Sequence, residues 1–208
     1  AVGDDWIGDR VLALLDAEGV DTSAVQRLSS AATRTAVRLR SAQGEQVFMG
    51  RPGGVLPAPL PETWGRAIDR AGVLLVDGWS YFHDTPEVIL QGVARAVGAG
   101  VPVLFDPGPR VEAIDRDWLR TITRAAAVIL VTEPEHQALA RRLDLNDLRS
   151  LSALRALIQK HGAAGCVISA GATRLVCPAY PVDAVDATGA GDCFAAGVGW
   201  GLLTRQPW

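Results

Sequence analysis

Between Val182 and Leu203 the chain reads VDAVDATGAGDCFAAGVGWGLL, the stretch whose residue types and spacing could do chemistry. The pattern predicts an alternating strand ending near Asp186, a Gly189-Ala190-Gly191 turn, and a helix from about Ala190 that buries Phe194, Val198 and Leu202. The two glycines let the backbone turn tightly and come close to a ligand, while the first helical amides point outward without intrahelical acceptors. The positive end of the helix dipole then favours an anion there, a phosphate or a developing phosphoryl charge. Asp192 would repel that anion unless it has work of its own. Taking the proton of an attacking hydroxyl is such work, because phosphoryl transfer uses one carboxylate to orient and deprotonate the acceptor alcohol. A plainer reading stands beside it: Asp192 decorates a first helical turn, where acids are favoured, and the glycines only permit close helix–strand packing. A dinucleotide-binding turn is disfavoured, since Phe194 stands at the last glycine position of G-x-G-x-x-G.

Other side chains narrow the chemistry. Lys160 is the single lysine, and it sits in QKHGA rather than in G-x-x-x-x-G-K-[ST], so a Walker-type phosphate loop is ruled out. Cys166, Cys177 and Cys193 are odd in number and lack metal-ligand spacing, which predicts three reduced thiols rather than a disulfide framework or a zinc site. Lys plus Arg is 20 against 23 Asp plus Glu, a net charge of -3 with no basic stripe, so a small molecule is the expected partner and nucleic acid is not. His83 follows an apolar run without a partner constellation and reads as an ordinary loop histidine. No apolar run approaches the roughly 18–20 residues that span a bilayer, and AVGDDWIGDR lacks the basic-then-apolar order of a secretory signal. A cytoplasmic protein that meets no membrane is expected.

The elements that must position these groups follow from length and periodicity. At 208 residues, 49% hydrophobic and 21% charged, the chain is a folded single domain with an appendage. Ile7, Val11, Leu14 and Leu15 share one face of a helix that Gly19 stops, with Asp4 and Asp5 placed to cap it. Thr35, Val37 and Leu39 alternate with arginines, and Gln46–Met49 follows a Gln-Gly-Glu turn, as in a half-exposed hairpin; RPGGVLPAPLP then breaks regular structure. VLLVDG, VPVLFD, AVILV and CVISAG are short apolar strands separated by helical spacing, with start signals at Thr85-Pro86-Glu87 and Asn146-Asp147. That alternation implies parallel β-α-β units, whose ligands bind beyond the carboxyl ends of the strands. Asp106 and Arg110 end one such strand, where they either meet a ligand or pair with each other.

The string Asp-Ala-Thr-Gly-Ala-Gly-Asp-Cys-Phe-Ala-Ala-Gly, residues 186–197, closely resembles the C-terminal signature of the ribokinase-like (PfkB) carbohydrate kinases. Val2-Gly3-Asp4-Asp5-Trp6-Ile7-Gly8, Gly19-Val20-Asp21-Thr22, the Gly44-Glu45 hairpin and Leu104–Arg110 resemble other parts of that family in the same order, over essentially the whole chain. The resemblance implies a three-layer α/β/α fold with a mostly parallel, doubly wound sheet, one kinase domain over 1–208 and a small β-hairpin lid at 33–52. It implies transfer of the γ-phosphate of ATP to a hydroxyl of a sugar or related small molecule, with Mg2+ and K+. By position, Asp192 matches the catalytic base and Gly189, Ala190 and Gly191 the anion hole. Asp186 and Thr188 match positions beside a monovalent cation, and Ser169 and Gly171 a stretch near the nucleotide phosphates. Glu135 matches a magnesium-linked glutamate, but Thr132-Glu133-Pro134-Glu135 lacks the family's Asn and is also a capping box. Asp106 and Arg110 fall at the expected substrate end.

Relative to the family the chain is expected to begin after the first strand and the Gly-rich segment that grips the sugar, and to stop one helix past the base. An incomplete domain, or a remnant that binds sugar, nucleotide or a partner without phosphoryl transfer, is the alternative. A homodimer through the lid hairpin is a further expectation.

Overall fold

The computed structural model of the chain describes residues 1–41, 46–51, 53–54, 58–83 and 85–206. They form two compact units, Ala1–Ala58 with His83–Thr85, and Pro59–Phe82 with Pro86–Trp208.

In the first unit β1 (Val2–Gly3) pairs in parallel with β2 (Arg27–Leu28), and α1 (Trp6–Ala17) lies between them in the chain. Asp5 is the N-cap of α1. Its Oδ1 accepts from the Gly8 amide at 2.9 Å and the Thr33 hydroxyl at 2.7 Å, and its Oδ2 accepts from the Thr33 amide at 2.8 Å. The Thr33 hydroxyl in turn accepts from the Gly3 amide at 2.9 Å, so one carboxylate ties the strand, the helix start and residue 33 together. Asp4 turns instead to Arg27, 3.0 Å away. Leu14, expected inward, is exposed, whereas Gly8 is buried.

The three donors hold the Asp5 carboxyl down at about 2, the Thr33 hydroxyl first and then the amides of Thr33 and Gly8. Because the folded value lies below the ordinary 3.8, this contribution to stability is complete above 3.8 and is lost as pH falls through about 2. Thr33→Val is expected to move the Asp5 carboxyl titration, followed by NMR, upward toward 3.8; an unmoved midpoint would assign the shift to other groups.

The hairpin forms as the alternation predicts. β3 (Thr35–Arg40) and β4 (Gln46–Arg51) are antiparallel, with Val37 opposite Met49 and Leu39 opposite Val47. The connecting turn through Gly44 and Glu45 lies outside the described residues, as does part of the following break.

The second unit is built on a six-stranded sheet in the order β10-β9-β8-β7-β6-β5. Along the chain run α2 (Glu62–Asp69), β5 (Leu74–Asp77), α3 (Trp79–His83), α4 (Pro86–Gly98), β6 (Val103–Asp106), α5 (Arg116–Ala125), β7 (Ala126–Thr132) and α6 (Glu133–Leu143). They are followed by β8 (Ala156–Lys160), β9 (Cys166–Ala170), β10 (Thr173–Cys177) and α7 (Ala190–Leu203). β5 to β8 are parallel, and their side chains alternate between two cores, as strands covered on both faces must. Val103, Phe105, Ile129, Val131 and Leu157 pack with α4, α5 and α6. Leu104, Val128, Leu130 and Ile158 meet Ala195 of α7 on the other face, which completes three α/β/α layers. The His83 side chain and Trp208 lie outside the described residues. No helix among the described residues is long and apolar enough to cross a membrane.

Three local expectations are corrected. CVISAG is not a parallel strand: β9 runs antiparallel to β8 and to β10. The helix expected from Asn146-Asp147 is a single 3-10 turn, Leu148–Ser150, after which the chain extends into β8. Ala156, Leu157 and Ile158 are consecutively buried, to 1%, 3% and 0%, and three successive buried residues suit a strand between two cores, not one face of a helix. No strand forms before Asp186; Val182 and Val185 are 79% and 90% exposed, so no cross-strand neighbour rewards an extended pairing there.

Candidate active site

The α7 start is built as its sequence requires. Gly189 is the N-cap at φ 81°, a left-handed conformation costly for any residue with a Cβ. The Ala190 amide bonds the Ala187 carbonyl at 3.1 Å and the Cys193 amide bonds the Gly189 carbonyl at 2.9 Å. The amides of Gly191 and Asp192 find no acceptor among the described residues, and a Cβ added at Gly189 or Gly191 would meet nothing within 4 Å. Open space therefore borders two outward amides and a helix dipole, the combination that binds anions. Asp192 is exposed in the same turn, with no side-chain partner among the described residues. Just upstream, Asp186 Oδ1 accepts from the Thr188 amide at 2.9 Å and hydroxyl at 2.7 Å, a closed Asx turn that fixes how the chain enters Gly189.

Packing sets the direction of α7. Gly199 lies against Val73, and Gly72 against Leu203, so the last turns of the helix sit at the amino end of β5. The first turn, about 14 Å back along the axis, therefore faces the carboxyl ends of the parallel strands, where ligands bind in such sheets.

That rim carries a second cluster. Lys160, ending β8, reaches Asp106, ending β6, with Nζ to Oδ2 at 2.6 Å, and Glu135 at the start of α6 with Nζ to Oε2 at 3.8 Å. All three side chains are at most 15% exposed. The Glu135 carboxylate also accepts from the Thr132 amide at 2.7 Å, and the Thr132 hydroxyl takes the Glu135 amide, so the capping box is real. Asp77, beside Asp106 in the β5–β6 register, caps α3 by accepting from the Ser80 amide at 2.9 Å. Gly78 follows it so closely under Pro107 that a Cβ would come within 1.8 Å of the Pro107 carbonyl oxygen.

The sequence-derived candidates thus sort into groups. Gly189, Ala190, Gly191 and Asp192 form one turn; Asp186 and Thr188 lead into it; Asp106 and Glu135 lie at the same end of the sheet. Arg110 does not pair with Asp106 as weighed above. Its guanidinium stacks over Phe82, 4.2 Å from the ring centroid, and Lys160 takes the carboxylate. Ser169 and Gly171 are not brought to this rim. Ser169 pairs with Leu157 near the amino end of β8, and Gly171 turns the β9–β10 hairpin beyond it, because β9 is antiparallel. Ser169 instead borders a cavity of about 310 Å³ on the α6 face, with His136, Arg149 and Arg174. Sequence reasoning missed the role of Lys160; the signal available was a lone lysine ending the apolar ALI run.

A three-layer, mostly parallel sheet with a glycine-capped helix start at its carboxyl end is a setting in which an anionic ligand can bind. The chain belongs to the pfkB family of carbohydrate kinases, whose model matches residues 1–208. It is 32% identical over 197 residues to an ATP-dependent ribose-1-phosphate kinase of Halopiger xanaduensis, covering 95% of this chain and 64% of that protein. It is 27% identical over 203 residues to a ribokinase of Bacillus subtilis, covering 94% and 64%. The chain therefore spans 64% of the length of these curated relatives. Among solved structures, an ATP-bound fructokinase from Xylella fastidiosa superposes with a TM-score of 0.81 at 24% identity, covering 99% of this chain and 67% of that one. An inosine-bound nucleoside kinase from Burkholderia thailandensis gives 0.79 at 22%, covering 100% and 66%. These likenesses fix the fold.

Proposed function

We propose that this chain carries the phosphoryl-transfer end of a kinase that moves the γ-phosphate of ATP to a hydroxyl of a sugar or nucleoside. The observation that carries the reading is the open, glycine-capped start of α7 with Asp192 exposed inside it. Asp192 takes the proton of the acceptor hydroxyl as its oxygen attacks the γ-phosphorus in line. The bond to the bridging oxygen of ADP breaks, and the Gly189–Gly191 turn meets the transferring charge through the amides of Gly191 and Asp192. Ribose, ribose 1-phosphate, fructose and nucleosides, the substrates in the names of its relatives, are the compounds to screen. ADP release above the no-sugar background with any of them supports transfer.

Magnesium enters as MgATP. Asp106 and Glu135 already share the Lys160 ammonium, and among the described residues no group of three acidic, histidine or cysteine side chains could hold a metal ion. Asp186 and Thr188 are the residues that would lie beside a potassium ion, with Asp186 Oδ1 already accepting from the Thr188 amide and hydroxyl.

A second reading, binding without transfer, draws on Thr132 and Lys160: the first commits Glu135 to a helix cap and the second neutralises both rim carboxylates. Calorimetric binding of MgATP or sugar with no ADP release across the panel would select it.

The hairpin supports a homodimer. Val37, Leu39, Val47 and Met49 share one face by register and are each about half exposed, at 49%, 50%, 58% and 56%. Four adjacent apolar side chains in water favour a second copy of the same face. Light scattering is expected to give a dimer that Leu39→Asp converts to monomer; a monomeric parent retires the idea.

A further inference from the structure

β9 and β10 set Cys166 directly opposite Cys177 at the open end of their hairpin. Opposed residues in an antiparallel pair have Cα atoms about 4.5–5.5 Å apart, inside the roughly 4.4–6.8 Å that a disulfide spans. Both are free thiols, and both pack in the apolar cluster that receives Phe194 and Ala195 of α7. Cys166 is buried and Cys177 half-buried, while Cys193 stands exposed on α7. The three thiols expected from sequence are therefore two kinds, one isolated and two facing each other.

We propose that Cys166 and Cys177 are an oxidisable dithiol, a modification site that takes a low-molecular-weight disulfide as co-reactant and closes into an intramolecular disulfide. Burial pushes the Cys166 thiol up, so the more accessible Cys177 reacts first. Its thiolate attacks one sulfur of the small disulfide, forming a mixed disulfide and releasing one small thiolate. Cys166 then loses its proton and attacks the Cys177 sulfur, and the second small thiolate leaves. Two protein thiols are oxidised by two electrons and one small disulfide is reduced to two thiols. Excess small thiol reverses the sequence.

The test uses the reduced chain, as wild type and as Cys193→Ser, equilibrated with graded ratios of oxidised to reduced glutathione, quenched in acid and mapped by mass spectrometry. The expected product is two hydrogens lighter, with the peptides of Cys166 (161–174) and Cys177 (175–182) cross-linked after combined trypsin and Asp-N digestion, which separates Cys177 from Cys193, and it forms at a lower oxidised-to-reduced ratio in the folded chain than in denaturant. Cys177→Ser and Cys166→Ser should stop at a glutathione adduct. A folded wild-type chain that ends as stable glutathione adducts, or that cross-links no more readily than the denatured chain, overturns the proposal. Mapping the wild type decides the question whether or not a given variant folds.

Discussion

Replacing Asp192 with Asn is expected to lower turnover by about 10²–10⁴-fold, the range a positioned general base contributes, while binding of MgATP and sugar changes by no more than a few fold. Asparagine has the shape of aspartate but cannot take a proton, so the substitution separates chemistry from geometry. The side chain is exposed and has no partner among the described residues, so the fold loses only the favourable placing of an acid in the first turn, at most about 1 kcal/mol, and the melting temperature should fall by no more than about 2–4 °C. A general base that acts only as the proton leaves affects kcat and kcat/KM together and spares ground-state binding. Coupled ADP release read beside calorimetric titration on the same preparation distinguishes the cases. Unchanged turnover in Asp192→Asn would leave the aspartate as helix decoration. Equal losses in affinity and turnover would make it a binding group.

The parts legible in the sequence are those decided by local chemistry. Gly189 must be glycine to turn at positive φ, and the residues after it are spaced for one helical face, so the α7 start could be read without knowing the sheet. β5, β6 and β7 are continuous apolar runs, which only a strand covered on both faces buries efficiently. β8 was hidden because Leu148, Leu151, Leu154 and Leu157 repeat every three residues, as on a helix, yet pairing with β7 rewards extension of the last of them. That choice is tertiary, and the parallel expectation for CVISAG falls with it: once β8 occupies the place beside β7, the short Gly162–Ala164 turn returns β9 antiparallel, which places Ser169 and Gly171 toward the amino end of β8. The rim cluster was hidden for a different reason. Lys160 and Asp106 are 54 residues apart in the chain, and only the parallel register brings their strand ends together.

Disabling that rim pair is expected to cost stability rather than affinity. Removing one partner of a buried ion pair strands the other; at 15% exposure the lower end of the roughly 3–5 kcal/mol range applies, about 3 kcal/mol for Asp106→Asn. At about 2–4 °C per kcal/mol for a chain of this size, the melting temperature should fall by about 6–12 °C. Lys160→Met should cost a similar amount, because Asp106 and Glu135 then face each other without the ammonium. The double variant Lys160→Met, Asp106→Leu removes both charges and fills the space with apolar atoms. It should recover to within about 1 kcal/mol of the parent, since well-packed apolar replacements of buried pairs are commonly near neutral. Measured beside Lys160→Met and Asp106→Leu as the singles, a double variant as unstable as their sum would mean no coupling between the residues, and the 2.6 Å contact would then contribute nothing of its own. The same variants ask whether the ammonium serves the ligand. Its acceptors are already two largely covered carboxylates, 15% and 11% exposed, so affinity for MgATP should stay within about twofold in Lys160→Met, the change that a loss of roughly 0.4 kcal/mol produces. A tenfold weaker affinity at an unchanged melting temperature would instead place Lys160 on the nucleotide phosphates.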